Sequence, residues 1–303
     1  MRSILQSTFT FIVGFLACLF LITQFSFDQN DETRQIPQKI FYQWHAPDVP
    51  VKMEFAGEPV PLNKWDVKER LDRELLFNYY WQNNVLFILK LSNRYFPIIE
   101  ERLRVNGVPS DFKYLCVAES NLLANATSRV GAVGFWQFMS DTAPGYELEV
   151  NSHVDKRRDI IKSTDAACKY LKTAYKKFGT WTGAAASYNS GQGGYAKQAS
   201  LQKTMNYYDL YLPEETNRYL FRILAFKHLV ENAKELGFIL DNEELYHPIK
   251  TRSVFVNSNI DDLAQYAIDN GTNYKTLRLL NPWIRSNFLL VKNGKQYEIL
   301  FPQ

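Results

Sequence analysis

A single carboxylate stands in an otherwise apolar stretch and is the first candidate for chemistry. In the sequence VAESN, Glu119 follows Phe112, Leu115 and Cys116 at the i, i+3, i+4 and i+7 spacing of one helix face. Burial disfavours the ionised form of a carboxyl group and raises its pKa toward neutrality, which suits a general acid. A boundary residue with its tip in water is the common alternative, and the spacing alone leaves both interpretations open.

Two later motifs combine aromatic residues, neutral amides and flexible glycines. They are GAVGFWQFMSDTAPG (131–145) and AAASYNSGQGG (184–194). Sugar rings stack on aromatic faces and accept neutral hydrogen bonds, whereas a phosphate ligand would favour arginine and helix N-termini. Trp136 could equally be a core residue, and glycine-rich loops are often simple turns. Their joint order after Glu119 favours a carbohydrate site that uses Phe135, Trp136, Gln137, Tyr188 and Asn189.

The elements that must position these residues read as helices. Val67, Leu71 and Leu75 have helical spacing, as do residues 98–103 after Pro97, which predicts two packing helices stopped near Gly107. Ser110 is the expected N-cap of the helix that carries Glu119. Ser163 or Thr164 is the expected cap of a further helix that ends at Gly179. The middle of the chain is therefore predicted to be mostly α.

Composition excludes several function classes. The 35 basic and 32 acidic residues leave a net charge of +3 without a long block of one sign, so a nucleic-acid partner is not expected. The three cysteines lack paired spacing, and the four histidines are dispersed. We therefore expect no metal site and no cofactor. Cys116 and Cys168 each sit in an apolar helix, which favours buried thiols over a disulfide.

The N-terminal residues 1–27 indicate where the protein works. The run 3–27 carries no charge and is long enough to cross a hydrocarbon layer of roughly 30 Å. It is either a membrane anchor or a cleaved signal segment, although a small-x-small cleavage site is not obvious. The run FLAC, which ends at Cys18, is a poor match to the lipobox of a lipoprotein. Either way the remainder is exported, and the stretch 28–63, interrupted by five prolines, is expected to be a linker that does not pack as regular structure.

Four motifs in order resemble the lytic transglycosylases with a goose-type lysozyme fold, and most closely the membrane-bound lytic murein transglycosylase D type. They are VAESN, GAVGFWQFM, the stretch from HVDKRRD to SGQGG, and LPEETNRYLFRILAFKHL. The resemblance implies a lysozyme-like α-helical domain that cleaves the β-1,4 bond between N-acetylmuramic acid and N-acetylglucosamine in peptidoglycan. Carried over by position, Glu119 is the acid/base, Ser120 is its neighbour, Gln137 contacts the saccharide, Tyr188 and Asn189 line the cleft, and Tyr219 bonds near the carboxylate. Ser140 stands where the family commonly has proline.

The sequence pattern of the C-terminal residues differs from that of the helical middle of the chain. Residues 253–302 predict a strand, two helices and a second strand, an order that resembles a LysM peptidoglycan-binding module. The usual Gly-Asp turn before the first helix is replaced by NSNIDD. Glycan binding by this piece and packing against the catalytic domain are therefore equal alternatives.

The predicted organisation is mainly α: an anchor or signal segment (1–27), a Pro-rich linker (28–63), a lysozyme-like lytic transglycosylase domain (64–240) and a β-α-α-β LysM-like module (250–303). The expected partners are peptidoglycan glycan strands, with a membrane contact through the N-terminal segment and the catalytic domain in the periplasm of a bacterial cell envelope. A lysozyme-type hydrolase and a non-catalytic cell-wall binding protein are the alternatives.

The motifs offer one acid, Glu119, where most glycosidases use two carboxylates. Asp141 is the nearest other acid in these segments, but its position suits a helix cap. A single acid suffices when the substrate supplies its own nucleophile, so the expected product ends in a 1,6-anhydromuramoyl residue.

Overall fold

The computed structural model describes residues 45–292 and 294–303. The helices are α1 (Trp65–Tyr80), α2 (Gln82–Val105), α3 (Phe112–Ser120), α4 (Ile160–Phe178), α5 (Trp181–Gln202), α6 (Glu214–Glu231), α7 (Leu263–Asp269) and α8 (Tyr274–Leu280). The strands are β1 (Glu54–Phe55), β2 (Glu58–Pro59), β3 (Thr251–Val256) and β4 (Tyr297–Pro302). The mainly α prediction is confirmed.

Helices α1 and α2 confirm the two packing helices expected after residue 64. Val67, Leu71 and Leu75 are fully buried, as the helical spacing predicted. The break between the helices falls at Trp81, and Pro97 lies inside α2. The helix starts well before this proline because its apolar stripe is buried along the whole length of α2.

Two predicted helix caps are wrong. Ser110 lies outside α3, which begins after Asp111. Asp159 caps α4 by accepting hydrogen bonds from the backbone N–H groups of the first turn, both at 3.1 Å. Ser163 and Thr164 therefore lie inside α4, where their hydroxyls donate to carbonyls one turn earlier.

The described part of the expected linker is not free of regular structure. Strands β1 and β2 pair in an antiparallel hairpin. Phe55 is fully buried there and packs edge-on against Phe112, with ring centroids 5.2 Å apart. Burial of an aromatic ring contributes roughly 2 to 3 kcal/mol, which is enough to fix this Pro-rich stretch to the helical core.

The helical core surrounds α3, the helix that carries Glu119. Helix α6 packs against α1, α3 and α5, and α4 packs against α2 and α5. Gly191 interrupts the helical geometry of α5 with φ +72 and ψ 148, so the helix is kinked there. One face of α3 is thus closed by neighbouring helices, which leaves its last turn to face a cleft.

The C-terminal module has the predicted β-α-α-β order. Strands β3 and β4 pair antiparallel along their full length, from Thr251 opposite Pro302 to Val256 opposite Tyr297. The module has its own buried cluster, which includes Leu263, Leu277 and Ile299.

This module packs on the loop before α4. The Asp155 N–H donates to the Trp283 carbonyl, and the Arg285 N–H donates to the His153 carbonyl, both at 2.8 Å. The Lys156 ammonium lies 3.3 Å from the centre of the Trp283 ring, in cation–π geometry. Packing against the catalytic domain, one of the two expected alternatives, is therefore confirmed.

The predicted anchor or signal segment, including Cys18, lies outside the described residues. Across residues 45–292 and 294–303, no helix combines the length and the apolar character needed to cross a membrane. Cys116 and Cys168 are both buried free thiols, as the sequence favoured.

Candidate active site

Glu119 lies in the last turn of α3, at the floor of a cleft. The apolar residues that share its face, Phe112, Leu115 and Cys116, are completely buried. Glu119 itself is partly exposed, because the helix ends one residue later and Asn121 turns the chain in a left-handed conformation (φ 51, ψ 33). The sequence prediction of a carboxylate on an apolar helix face is confirmed, and its tip reaches the cleft.

The cleft has a volume of about 550 Å³. Its walls come from α1, the end of α3 and α6. The lining residues are Glu74, Phe77, Asn78, Trp81, Ala118, Glu119, Ser120, Asn121, Arg218, Arg222 and Phe226. A space of this size accommodates a ligand of a few sugar rings.

The surroundings of Glu119 raise its pKa to about 7. Desolvation by burial is the largest cause, and the negative charge of Glu215 adds to it. The Tyr219 hydroxyl donates a hydrogen bond to Glu119 Oε1, and the positive charge of Arg222 acts in the same direction, so both lower the pKa. Glu119 is therefore partly protonated at neutral pH, as a general acid must be.

A second carboxylate, Glu74, also lines the cleft, but it is paired with two arginines. It is 1% exposed, and its Oε1 accepts from Arg218 Nε at 2.6 Å. Arg222 Nε lies 3.9 Å from the other carboxylate oxygen. A buried carboxylate needs such partners. The Glu74 carboxylate therefore forms ion pairs with the two α6 arginines beside the cleft.

Ser120 and Gln137 support the loop that follows the cleft. The Ser120 hydroxyl donates to the Phe135 carbonyl at 2.8 Å. The Gln137 amide donates to the carbonyls of Gly134 and Ala126 at 2.9 and 3.2 Å. Gln137 also has a positive φ of 49°, an uncommon conformation for a residue with a side chain. Ser120 reaches the cleft, whereas the side-chain amide of Gln137 binds the backbone of its own loop.

Phe135 and Trp136 do not present faces on which a sugar could stack. They are 2% and 0% exposed, and both belong to the hydrophobic core. The Trp136 indole donates to Thr164 Oγ1 at 2.9 Å. The prediction of direct substrate contact is wrong for these two rings, because their burial excludes the ligand. The alternative that Trp136 is a core residue is confirmed.

Tyr188 and Asn189 lie on α5, near α3, the helix that carries Glu119. The Tyr188 hydroxyl donates to the Trp136 carbonyl at 2.8 Å. Burial is the main cause of its pKa being well above the ordinary value, and the charge of nearby Glu119 adds to it. The Asn189 amide donates to Glu215 at 3.2 Å and accepts from the Thr216 hydroxyl at 2.9 Å. The structure therefore brings Tyr188 and Tyr219 to Glu119, while Asn189 joins α5 to α6.

Two exposed aromatic rings line the cleft, one in α1 and one directly after it. Neither of them was named from the sequence. Phe77 and Trp81 are 62% and 52% exposed and line the cleft. Arg218 lies over the Phe77 ring, 5.9 Å from its centroid. Arg218 and Arg222 were also missed. The signal that could have found the rings is FNYYWQNN, a run of aromatics and amides at the junction of two helices.

We expect Trp81→Ala to weaken glycan binding, since its exposed ring lines the cleft and offers a surface on which a sugar can stack. The apparent KM on a soluble glycan should rise about tenfold with a smaller change in kcat, because loss of one stacked ring costs roughly 1 to 2 kcal/mol. Steady-state kinetics on purified glycan strands measure both constants.

The control is Trp65→Ala, which removes an exposed indole (74%) from the start of α1, outside the cleft. It should leave KM unchanged. Equal KM values for wild type and Trp81→Ala would contradict a stacking role for this ring.

Asp141, the other acid named from the sequence, is not a cap. It is exposed, and its carboxylate accepts from the adjacent Ser140 hydroxyl at 3.2 Å. It does not line the cleft. Within the described residues, no group of three or more His, Cys, Asp or Glu side chains is arranged to hold a metal ion.

The basic run DKRRD (155–159) is held by salt bridges to its own acids. Arg157 pairs with Asp155 at 2.8 Å, and both are almost fully buried. Arg157 also donates to the carbonyls of Phe138 and Gly131, at 3.1 and 3.4 Å. This arginine therefore fixes the glycine-rich loop that follows α3.

Comparison with known proteins finds two family models that match parts of the chain. Residues 96–210 match the transglycosylase SLT domain, and residues 252–303 match the soluble lytic transglycosylase C-terminal LysM-like domain. A search of solved structures finds an inactive mutant of the lytic transglycosylase Slt from Pseudomonas aeruginosa. The two chains are 21% identical, with a TM-score of 0.39. The match covers 50% of this chain and 26% of the Slt chain.

Two curated relatives have the name membrane-bound lytic murein transglycosylase D. They come from Escherichia coli (strain K12) and Escherichia coli O6:H1 (strain CFT073). Each is 28% identical over 204 residues, which cover 66% of this chain and 44% of the relative. The match thus spans less than half the length of these relatives. The chain contains a transglycosylase SLT domain followed by a LysM-like domain, and it is homologous to membrane-bound lytic murein transglycosylase D.

Proposed function

We propose that the protein is a peptidoglycan lytic transglycosylase that cleaves the β-1,4 bond between N-acetylmuramic acid and N-acetylglucosamine and leaves a 1,6-anhydromuramoyl end. The observation that carries the proposal is Glu119, a carboxyl group with a pKa of about 7 at the floor of an open cleft. The SLT domain and the homology to a murein transglycosylase support the same reaction.

The first step is proton donation. Protonated Glu119 gives its proton to the glycosidic oxygen, the bond to the anomeric carbon breaks, and N-acetylglucosamine leaves as an alcohol. Positive charge develops on the muramic ring, where its own acetamido oxygen stabilises the anomeric carbon. The Tyr219 hydroxyl bond and the charge of Arg222 stabilise the Glu119 carboxylate that results.

The second step uses the same residue as a base. The Glu119 carboxylate takes the proton from the 6-hydroxyl of the muramic ring while that oxygen bonds to the anomeric carbon. The nucleophile is part of the substrate, so its effective concentration is high and no positioned water is needed. Glu119 ends the cycle protonated, as it began.

The arrangement of the other carboxylates supports this route over a lysozyme-type hydrolase. A hydrolase would need a second carboxylate as nucleophile or as base for water. Glu74 is bound to Arg218, and Glu215 accepts a hydrogen bond from Asn189. A non-catalytic binder is disfavoured because a partly desolvated carboxyl group costs folding free energy that binding alone does not require.

The proposed location is the bacterial cell envelope, with the catalytic domain in the periplasm. The uncharged segment 3–27 supports attachment to, or export across, a membrane. The membrane-bound relatives agree with this placement. The domain limits 64–240 and 250–303, and the roles given to the site residues, belong to the same proposal.

The pH dependence of cleavage tests the acid. Because Glu119 must be protonated to donate, kcat/KM should fall as pH rises through about 7, approaching tenfold per pH unit above it. Release of soluble fragments from purified cell walls between pH 5 and 9 measures this profile.

A profile that still climbs well above pH 7 would mean that another group supplies the proton. Failure of the wild-type protein to release any fragments, despite binding the walls, would favour the non-catalytic alternative.

A further inference from the structure

A second cavity lies where the LysM-like domain meets the catalytic domain. Its volume is about 820 Å³. One wall comes from α2 and from the loop that follows α3, and the other comes from α8 and the residues after it. We call this cavity the interdomain pocket.

The lining of the interdomain pocket is strongly cationic. Arg158, Lys275, Arg278 and Arg285 line it, and no described lining residue is acidic. By contrast, the catalytic cleft contains two carboxylates beside its two arginines. The chain as a whole is nearly neutral, at +3, so this concentration of charge is local. A pocket lined by one sign of charge attracts ligands of the other sign.

Three of the four cations have no ion-pair partner among the described residues. Lys275 and Arg285 are exposed, and Arg278 donates hydrogen bonds to the Tyr274 hydroxyl and the Ser286 carbonyl, at 2.6 and 3.2 Å. The Nε atom of Arg278 is buried without a hydrogen-bond partner, whereas the Nε atom of Arg158 lies 3.7 Å from the Asp155 carboxylate. Buried guanidinium donors ordinarily bind an acceptor. Arg278, Lys275 and Arg285 therefore leave capacity for an anionic ligand.

The pocket follows the catalytic cleft directly along the chain. Asn121 lines the cleft, and the next residues, 122–126, line the pocket. Leu122 has a positive φ of 62° after the left-handed Asn121, so the loop turns sharply between the two sites. A muramic acid held near Glu119 could therefore extend a substituent into the pocket.

We infer that the interdomain pocket binds the carboxylate-bearing stem peptide that is attached to muramic acid. This inference rests on the proposed function, since it names the part of the same substrate that leaves the cleft. The stem peptide offers free carboxylates to the cations, and its small apolar side chains suit Leu123 and Leu279, which also line the pocket. Bidentate bonds between guanidinium groups and carboxylates give such a contact its geometry.

The test separates the pocket from catalysis. Binding of a free stem peptide to the full wild-type chain is measured by titration, beside the same peptide with its carboxylates amidated. The variant K275Q/R285Q removes two exposed, unpaired charges. The control K176Q/K197Q removes two exposed lysine charges that lie outside both cavities.

We expect saturable binding of the acidic peptide to wild type and to the control. Affinity should be about fivefold weaker for K275Q/R285Q, lower at higher salt, and lost for the amidated peptide. In cleavage assays, the ratio of kcat/KM on peptide-bearing strands to kcat/KM on peptide-free strands should fall by a similar factor in this variant only.

Absence of peptide binding by wild type would overturn the inference whether or not the protein cleaves glycan. So would an affinity that K275Q/R285Q leaves unchanged. Binding of a phosphate-bearing polymer but not of the peptide would assign the pocket to that polymer instead. Peptide binding without any cleavage would leave the pocket assigned and contradict the proposed function alone.

Discussion

Replacing Glu119 by Gln should reduce cleavage of purified peptidoglycan about a thousandfold. The amide keeps the size of the side chain but cannot donate a proton to the glycosidic oxygen or accept one from the 6-hydroxyl, and general acid–base catalysis typically contributes 10² to 10⁴. Clearing of a cell-wall suspension, followed by quantification of the released fragments, measures the loss. The control Glu69→Gln changes an exposed carboxylate of α1 outside the cleft and should retain wild-type activity.

The same variant should be more stable than wild type above pH 7. The folded-state pKa of Glu119 is about 7, against an ordinary value of 4.5. The native state therefore binds more protons than the unfolded state between these values, and the stability of the wild type falls as pH rises through this window. The full loss is on the order of 3 kcal/mol above pH 7, and it vanishes below pH 4.5. Chemical denaturation at pH 4 and pH 8 compares the two proteins.

An inactive Glu119→Gln protein that is also less stable at pH 8 would point to disruption of the fold rather than loss of the acid. Equal clearing of the cell-wall suspension by wild type and Glu119→Gln would contradict the assignment of Glu119 as the acid.

Gly134→Ala should give the largest loss of stability in the loop behind the site. Gly134 has φ +88, and an added Cβ would lie 1.9 Å from the Arg157 carbonyl oxygen. The left-handed conformation alone costs roughly 1 kcal/mol for alanine, and the backbone clash forces the loop or Arg157 to move. We expect the free energy of unfolding to fall by about 3 kcal/mol, measured by urea denaturation.

Gly131→Ala is the matched control. Gly131 has φ +86 in the same loop, but an added Cβ meets nothing within 4 Å. Its cost should therefore be limited to the backbone conformation, roughly 1 kcal/mol. Similar losses for the two variants would show that the close approach to Arg157 does not matter.

The sequence predicted the helical framework and the acid because both leave local patterns. Glu119 shares its helical spacing with three buried residues, and this pattern is visible without a structure. The β-α-α-β order of the C-terminal domain was likewise predicted from periodicity and turn residues. The cap of α4 was misplaced because Ser163 and Thr164 resemble caps, whereas Asp159 makes the bonds.

The cleft walls could not be predicted because they depend on packing between distant segments. Trp136 and Trp81 are both tryptophans near amides, yet one is fully buried and the other is half exposed. Only the packing of α1 and α3 against α6 places Trp81, Glu119 and Arg218 around one space. The interdomain pocket likewise exists because the loop after α3 meets α8, about 150 residues away in the chain.

The mass of the new chain end tests the central claim most directly. Peptidoglycan is digested with the wild-type protein in ¹⁸O-labelled water, and the fragments are analysed by mass spectrometry. The account predicts muramic ends without incorporated ¹⁸O, lighter than the hydrolytic product by one labelled water, about 20 Da, because the 6-hydroxyl is the nucleophile. Reducing-end muramic acid that carries one ¹⁸O would contradict it and would identify a lysozyme-type hydrolase with a second functional carboxylate.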